Sequence, residues 1–268
     1  MTQLPYAFAD GAVIAKRNLI KIKRVPDLLV FTTLSPIMFV LLFGYIFGSA
    51  IDVPGDINYR EFLMAGIFGQ TVIFGATITG AGMAEDIQKG IIDRFRSLPM
   101  SRSAVLVGRT VSDIVNNVIV IIVMSATGLA IGWRIRTSVL EALGGFLLLL
   151  LFAYAISWMM AWVGLLVPSP EVVNNASFVT IFPLTFIANT FVPPDNFPAI
   201  LRTFAYWNPV SSVVQATREL FGNTNPAIPV PDYWSTQHPV VYSLIWVAII
   251  LAVFVPLSIR QYKRAASR

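Results

Sequence analysis

The chain has 268 residues, of which 56% are apolar and only 12% are charged, and its net charge is +5. An average soluble domain carries about 25% charged residues, so this composition excludes soluble globular and disordered proteins. The apolar residues come in blocks of about twenty, the length of a helix that crosses a bilayer. Cysteine is absent, which excludes disulfides and thiol chemistry. The basic excess is typical of cytoplasmic loops that face anionic lipid, so we predict a protein of the lipid bilayer with no nucleic-acid partner.

Six segments are long and apolar enough to form transmembrane helices, and they lack the short alternating pattern of a membrane barrel. The predicted spans are residues 28–48, 62–83, 105–131, 139–167, 172–192 and 240–259. No internal repeat is visible, so we predict an all-α polytopic membrane protein with one domain over residues 1–268. The parts of that domain are a cytoplasmic interfacial helix at 1–27, five spans within 28–192, an outer segment at 193–239, the sixth span at 240–259 and a cytoplasmic tail at 260–268.

The lysine and arginine residues divide unevenly between the two sides of these spans. With the N-terminus inside, fourteen of the nineteen face the cytoplasm. Because cytoplasmic loops are enriched in these residues, we predict a multi-pass protein of the plasma or inner membrane with both termini cytoplasmic. Residues 193–239 then lie outside. Within them, 196–206 and 209–221 have helical character, and they either dip into the interface as re-entrant helices or form an ordered surface loop.

The N-terminal segment has an amphipathic pattern. Its apolar residues, at spacings of three and four, are Phe8, Ala12, Ala15, Leu19 and Ile22. Arg17, Lys21 and Arg24 lie on the opposite face of the same predicted helix. The pattern favours an interfacial helix on the cytoplasmic leaflet; the alternative is a basic cluster that only fixes the topology.

The cytoplasmic stretch between the second and third spans is the most informative part of the chain. Its apolar residues on one helical face are Ile87, Ile91, Phe95 and Leu98. Glu85 and Asp86 stand at its start and Arg94 and Arg96 near its end, the order that complements a helix dipole, and Pro99 ends the pattern. We predict a short amphipathic helix that contacts a cytosolic partner, with an ordinary loop that only fixes topology as the alternative.

This stretch resembles the cytoplasmic signature of ABC-2 type exporter permeases. The signature consists of an acidic residue at the end of a span, then Lys-Gly, an acidic–basic stretch, Leu-Pro and Ser-Arg. The matching residues are Glu85, Lys89, Gly90, Asp93, Arg94, Arg96, Leu98, Pro99, Ser101 and Arg102. The segment DRFRSLPMSR, together with the earlier segment IKIKRVP, is similar to sequences of the daunorubicin- and doxorubicin-resistance branch of drug-efflux permeases.

The resemblance implies half of an exporter, in which two permease chains, identical or sister, pair and carry two cytosolic ATPase subunits. It implies that the loop is a coupling helix seated on the ATPase. The residues assigned to that contact are Glu85, Asp86, Ile87, Gly90, Ile91, Arg94, Phe95, Arg96, Pro99 and Arg102. It also implies that the outer segment forms re-entrant helices near the exit, where Trp207, Asn208 and Pro209 combine an interface-seeking ring with a helix-starting Asn-Pro.

The sequence predicts no catalytic, cofactor or metal site in this chain. No Gly-Lys dipeptide occurs, so the chain lacks a Walker A loop, and any ATP and Mg²⁺ would be bound by a partner subunit. His238 is the single histidine, which makes neither a metal site nor a catalytic pair. Asp113, near the cytoplasmic end of the third span, is predicted to pair with Arg109 one turn earlier rather than to carry protons.

We therefore predict the permease subunit of an ATP-driven exporter for an amphiphilic or hydrophobic substrate, such as a drug, a lipid or a polyketide. A secondary transporter or channel is the first alternative, which the missing midplane charges weaken. An integral membrane enzyme is the second, which the missing catalytic set weakens. Six polar residues of the spans either line a path or bond neighbouring helices: Gln70, Thr71, Thr77, Asn174, Asn175 and Asn189.

Overall fold

The computed structural model describes residues 26–47, 57–91, 104–167, 169–225 and 229–265. The α-helices of this part of the chain are α1 (Pro26–Leu42), α2 (Tyr59–Gly75), α3 (Thr77–Gln88), α4 (Ala104–Ala130), α5 (Val139–Leu166), α6 (Pro170–Phe186), α7 (Ala199–Trp207), α8 (Pro209–Phe221), α9 (Trp234–Gln237) and α10 (Pro239–Ala265). A π-helical turn, Phe43–Phe47, continues α1, and a 3-10 turn, Pro194–Asn196, precedes α7. The described residues contain no strand, so the prediction of an all-helical fold is confirmed for them.

Four helices are long and apolar enough to cross a membrane. They are Tyr59–Gln88 (α2 and α3 together), Val105–Ala130, Val139–Leu166 and Pro239–Arg264, and they correspond to the second, third, fourth and sixth predicted spans. The first predicted span contains a shorter apolar helix, Thr33–Ile46. The fifth contains the 17 residues of α6, after which the chain turns. The count of six spans and the division of the domain into parts stay predictions.

The pair α2–α3 is the centre of the bundle. Its apolar stretch is 72% buried, against 17% for that of α10. Glycines allow this close packing: a Cβ at Gly66 would lie 2.0 Å from the carbonyl oxygen of Thr190, and a Cβ at Gly164 would lie 2.1 Å from that of Gly80. Backbone therefore meets backbone on both sides of α2–α3, where any side chain would overpack the core.

The two predicted helices of the outer segment are present as α7 and α8. Helix α8 packs against α2, α5 and α10, so it belongs to the core of the bundle rather than to a surface loop. Trp133 is fully buried beside this helix, and its indole Nε1 donates to Asn223 Oδ1 at 2.8 Å. Gly222 ends α8 in the left-handed conformation, with φ of 70°.

Candidate translocation pathway and coupling end

The acidic residues at the start of the cytoplasmic stretch belong to α3. We predicted that Glu85 and Asp86 open the loop helix; instead they lie in the last turns of α3, which continues to Gln88. The helix continues past the predicted end of the span because no glycine or proline lies between Met83 and Gly90, whose φ of 62° is the left-handed conformation that commonly follows a helix end. Glu85 pairs with Lys89 one turn later, so part of the negative charge near this C-terminus is offset.

Asp86 and Arg109 form a buried ion pair between α3 and α4. Arg109 Nη1 lies 3.7 Å from Asp86 Oδ2, and the two side chains are 12% and 9% exposed. The ion pair that we predicted between Arg109 and Asp113 on its own helix is not formed within 4 Å; the closer partner of Arg109 is Asp86. The physical reason is Gly82: its missing side chain leaves room for the Arg109 guanidinium to lie across α3 and reach Asp86.

The other residues predicted to contact the ATPase lie partly inside and partly outside the described part of the chain. Ile87, Gly90 and Ile91 are half-buried and follow Asp86 along the chain. Residues that lie outside the described part of the chain are Arg94, Phe95, Arg96, Pro99 and Arg102 of the loop, and Arg17, Lys21 and Arg24 of the N-terminal segment. Their contact with an ATPase or with lipid stays a prediction.

A cavity of about 360 Å³ opens between α1, α2, α4 and α6, which we call the membrane cavity. Its apolar walls include Phe39, Phe74, Phe178 and Phe182, and its polar walls include Gln70, Thr71, Asn116 and Asn117. Gln70 and Thr71 thus line a cavity. The sequence had left open whether they line a path or bond neighbouring helices. Ligand pockets of this size are typically apolar with a few polar groups that fix orientation.

A continuous row of phenylalanine rings extends from this cavity, and we call it the phenylalanine row. In order of contact it consists of Phe178, Phe182, Phe186, Phe191, Phe43 and Phe39. The closest neighbours, Phe182 and Phe186, have ring centroids 4.0 Å apart, and the widest, Phe39 and Phe43, are 5.8 Å apart. Phe39, Phe178 and Phe182 of this row also line the membrane cavity, so these rings are available for aromatic contacts with an apolar molecule. The sequence shows the spacing of Phe178, Phe182 and Phe186, one helical turn apart, but not the return of the row through α1.

Helix α6 buries only one face. Val173, Ser177, Ile181 and Thr185 occur at every fourth position and are buried. The other face is exposed and includes Val179, which is 72% exposed. The neighbouring α1 is likewise exposed at Leu34, Met38 and Leu41. The side of the bundle that bears the membrane cavity therefore carries much apolar surface that the described residues leave uncovered.

Asn208 forms the junction between α7 and α8. Its Oδ1 accepts from the Val210 backbone N–H at 2.9 Å, which caps α8, and its Nδ2 donates to the carbonyl oxygen of Leu184 in α6 at 2.7 Å. Pro209 occupies the first turn of α8, where its missing N–H costs nothing. The predicted Asn-Pro helix start is thus present, and it also ties the outer segment to α6.

Trp207 is half-exposed at the end of α7. Its ring stands edge-on to those of Tyr233 and Tyr242, at centroid distances of 6.4 and 6.0 Å. Tyr242 Oη also donates to the Trp207 carbonyl oxygen at 2.9 Å. Trp207, Tyr233 and Tyr242 therefore form a group of aromatic rings at the start of α10, as is typical of a membrane–water interface. Tyr206 lies nearby, and burial and the Asp195 carboxylate raise its pKa to about 12.

Arg218 of α8 is a buried cation. The sequence predicted only that it belongs to the five basic residues outside the cytoplasmic set. It is 1% exposed; its Nε donates to the Phe62 carbonyl oxygen at 2.9 Å, and its Nη2 donates to that of Asn189. Its guanidinium also lies 3.6 Å from the centre of the Phe62 ring. The signal in the sequence was its position one turn after Val214 on the buried face of α8.

Arg218 and Asn189 also border a second cavity of about 470 Å³, the outer cavity, beneath the outer segment. Burial lowers the pKa of Arg218 to about 9, so the guanidinium is still charged at neutral pH. No carboxylate lies within 4 Å of it among the described residues. Backbone carbonyl dipoles and an aromatic face therefore stabilise this charge.

These long apolar helices are those of a multi-pass membrane protein. The chain belongs to the ABC-2 type transporter family, whose model matches residues 11–221. Members of this family are the transport subunits of ABC transporters.

Three relatives illustrate the likeness. Over 247 residues, 92% of this chain and 83% of the relative, the chain is 32% identical to the daunorubicin resistance ABC transporter permease protein DrrB1 of Streptomyces coeruleorubidus. Over 234 residues, 87% of this chain and 80% of the relative, it is 25% identical to the probable doxorubicin resistance ABC transporter permease protein DrrC of Mycobacterium tuberculosis. It is 24% identical to the putative transport permease ycf38 of Cyanophora paradoxa, over 80% of this chain and 74% of the relative.

Proposed function

We propose that this chain is the permease subunit of an ATP-driven exporter that moves an amphiphilic or hydrophobic, drug-like compound out of the cell. The observation that carries the proposal is the membrane cavity with its phenylalanine row. A planar apolar compound would stack on Phe178 and Phe182, while the amides of Gln70 and Asn117 would orient its polar groups. The names of the daunorubicin and doxorubicin relatives support a substrate of this kind.

The chain would work with a cytosolic ATPase that binds ATP and Mg²⁺. The coupling contact would begin at the end of α3, where Ile87 and Ile91 offer partly exposed apolar side chains on either side of Gly90. The predicted residues from Arg94 to Arg102 would complete that contact. An anchored apolar face with charged residues at its rim is the usual composition of a protein interface.

A second permease chain, identical or sister, would cover the open side of the bundle. The exposed side chains of Met38 and Val179 lie on α1 and α6, two of the helices that border the membrane cavity. A contiguous apolar surface of this kind contacts either lipid or another protein. Pairing would enclose the cavity between two permeases and give the substrate one shared pathway.

Drug export by single-residue variants tests this function. Phe182→Ala removes a ring at the centre of the row, and we expect it to lower ATP-dependent daunorubicin uptake into inside-out vesicles by about fivefold or more, since aromatic stacking contributes about 1 kcal/mol. Leu140→Ala is the control, because Leu140 is 81% exposed and outside the cavity. Equal uptake by both variants at matched expression would contradict the cavity as the pathway.

A further inference from the structure

The Arg109 guanidinium crosses from α4 to the last turns of α3, and a second buried carboxylate, that of Asp113, lies one turn further along α4. Arg109 pairs with Asp86 across the α3–α4 interface at 3.7 Å, and its Nη2 donates to the carbonyl oxygen of Ile78 at 3.4 Å. Both side chains of the pair are about nine-tenths buried. A buried charge needs a partner of opposite sign, so the position of Arg109 fixes where α4 meets the end of α3.

The guanidinium rests in a gap that only a glycine leaves open. A Cβ at Gly82 would lie 1.3 Å from Arg109 Nη2 and 2.1 Å from its Cζ. The guanidinium is the end of a flexible side chain. Its contacts with Asp86 and Ile78, rather than the backbone of α4, therefore hold it against Gly82. The side chain can leave this gap without a change in the fold of α4.

Asp113 offers the same guanidinium a second partner. It lies one turn after Arg109 on α4, at the i,i+4 spacing of helical ion pairs. It is 8% exposed, and its Oδ2 has no hydrogen-bond partner among the described residues. An unpartnered buried carboxylate oxygen costs free energy, and an arginine released from Asp86 would remove that cost.

We propose that Arg109 is a positioning residue with two alternative carboxylate partners, Asp86 in the arrangement described here and Asp113 when the end of α3 moves during transport. Asp86 stands four residues before Gly90, the turn into the predicted coupling loop. A displacement of the last turn of α3 would pull Asp86 from Arg109, and the partner exchange would carry the change to α4. This role in transport rests on the proposed function, but the exchange itself is a property of the permease alone.

A double-mutant cycle on the purified permease in detergent tests the exchange without an ATPase. Asp86→Asn should lower the thermal unfolding midpoint, because it removes the present partner. Asp113→Asn in the native background should leave the midpoint unchanged or raise it, because Asp113 is buried and its Oδ2 has no hydrogen-bond donor there. In the Asp86→Asn background, Arg109 pairs with Asp113, so adding Asp113→Asn should lower the midpoint by about 2–4 °C.

This change of sign distinguishes partner exchange from a purely structural role of Asp113. If Asp113→Asn shifts the midpoint by the same amount in both backgrounds, Asp113 is not an alternative partner and the inference is wrong. Gly82→Ala supplies a second background should Asp86→Asn not fold, since the added methyl group displaces Arg109 without touching either acid. Asp232→Asn is the control: Asp232 is exposed in the outer segment and its hydrogen bond to Gln237 is also exposed, so we expect no change in any background.

A second measurement links the exchange to transport. In vesicles that contain the permease and its ATPase, Asp113→Asn should lower drug export per ATP hydrolysed by about fivefold or more, and Asp113→Glu should restore it. Export per ATP equal to that of the parent would remove Arg109 exchange from the transport cycle. If the parent complex itself exports nothing, the proposed function is wrong, while the unfolding cycle still decides the exchange.

Discussion

Arg218 connects three parts of the outer half through one side chain. From α8 it reaches the carbonyl oxygens of Phe62 in α2 and of Asn189 and Thr190 beyond α6. These carbonyls belong to the region where Gly66 lets the backbones touch. A lysine has neither the planar shape nor the number of donors to reach them together. The residue therefore stabilises the outer closure of the bundle rather than a surface charge pair.

Arg218→Met should lower the free energy of unfolding by about 2–4 kcal/mol, because it removes the donor to the buried carbonyl oxygens of Asn189 and Thr190, which lie outside the helices. Arg218→Lys should recover only part of that loss. Unfolding of the purified permease in detergent measures both variants. Arg202→Met is the control, since Arg202 bonds only an exposed carbonyl oxygen of Asp195 and should change stability by under about 0.5 kcal/mol. Equal effects of Arg218→Met and Arg202→Met would contradict this role.

The junction of helices α7 and α8 depends on both the oxygen and the nitrogen of the Asn208 side-chain amide. Asn208→Ala removes the cap of α8 and the bond to Leu184, and should cost about 1–2 kcal/mol of stability. Asn208→Ser keeps a capping oxygen but loses the donor to Leu184, and should cost less. Thermal unfolding compares the two variants. A loss with serine as large as with alanine would show that the bond to α6, and not the cap, stabilises the junction.

The end of α3 depends on the left-handed turn at Gly90. Gly90→Pro is incompatible with a φ of 62°, and we expect it to abolish drug-stimulated ATP hydrolysis in the reconstituted complex. Gly90→Asn is the matched control, because asparagine tolerates the left-handed conformation, and it should keep most of the stimulation. A proline variant that is stimulated like the parent would show that the turn does not matter for coupling.

Much of the element pattern follows from the sequence, and the contacts between elements do not. The blocks of apolar residues and the Asn208-Pro209 start predicted most helices, because helix length and caps are local properties. The end of α3 was missed since nothing local separates a span from its continuation before Gly90. Arg109 was assigned to Asp113 because only its own helix was visible, whereas Gly82 determines the true partner from another helix. The membrane cavity combines four helices, so no single stretch predicts it.

The orientation of the whole molecule in the membrane determines which side each site faces. The chain has no native cysteine, so single cysteines report their side without background. Asp232 and Lys263 are both exposed, in the outer segment and near the end of α10. We expect an impermeant thiol reagent to label Asp232→Cys in intact cells and Lys263→Cys only after permeabilisation. The reverse pattern would place the coupling end outside and exclude contact with a cytosolic ATPase.

We propose that this permease exports a drug-like compound only when a separate ATPase drives it. Daunorubicin transport by proteoliposomes that contain the purified permease, with and without its ATPase and with and without ATP, tests this dependence. We expect transport only when permease, ATPase and ATP are all present. Equal transport by the permease alone, driven by an ion gradient, would contradict it and favour a secondary transporter.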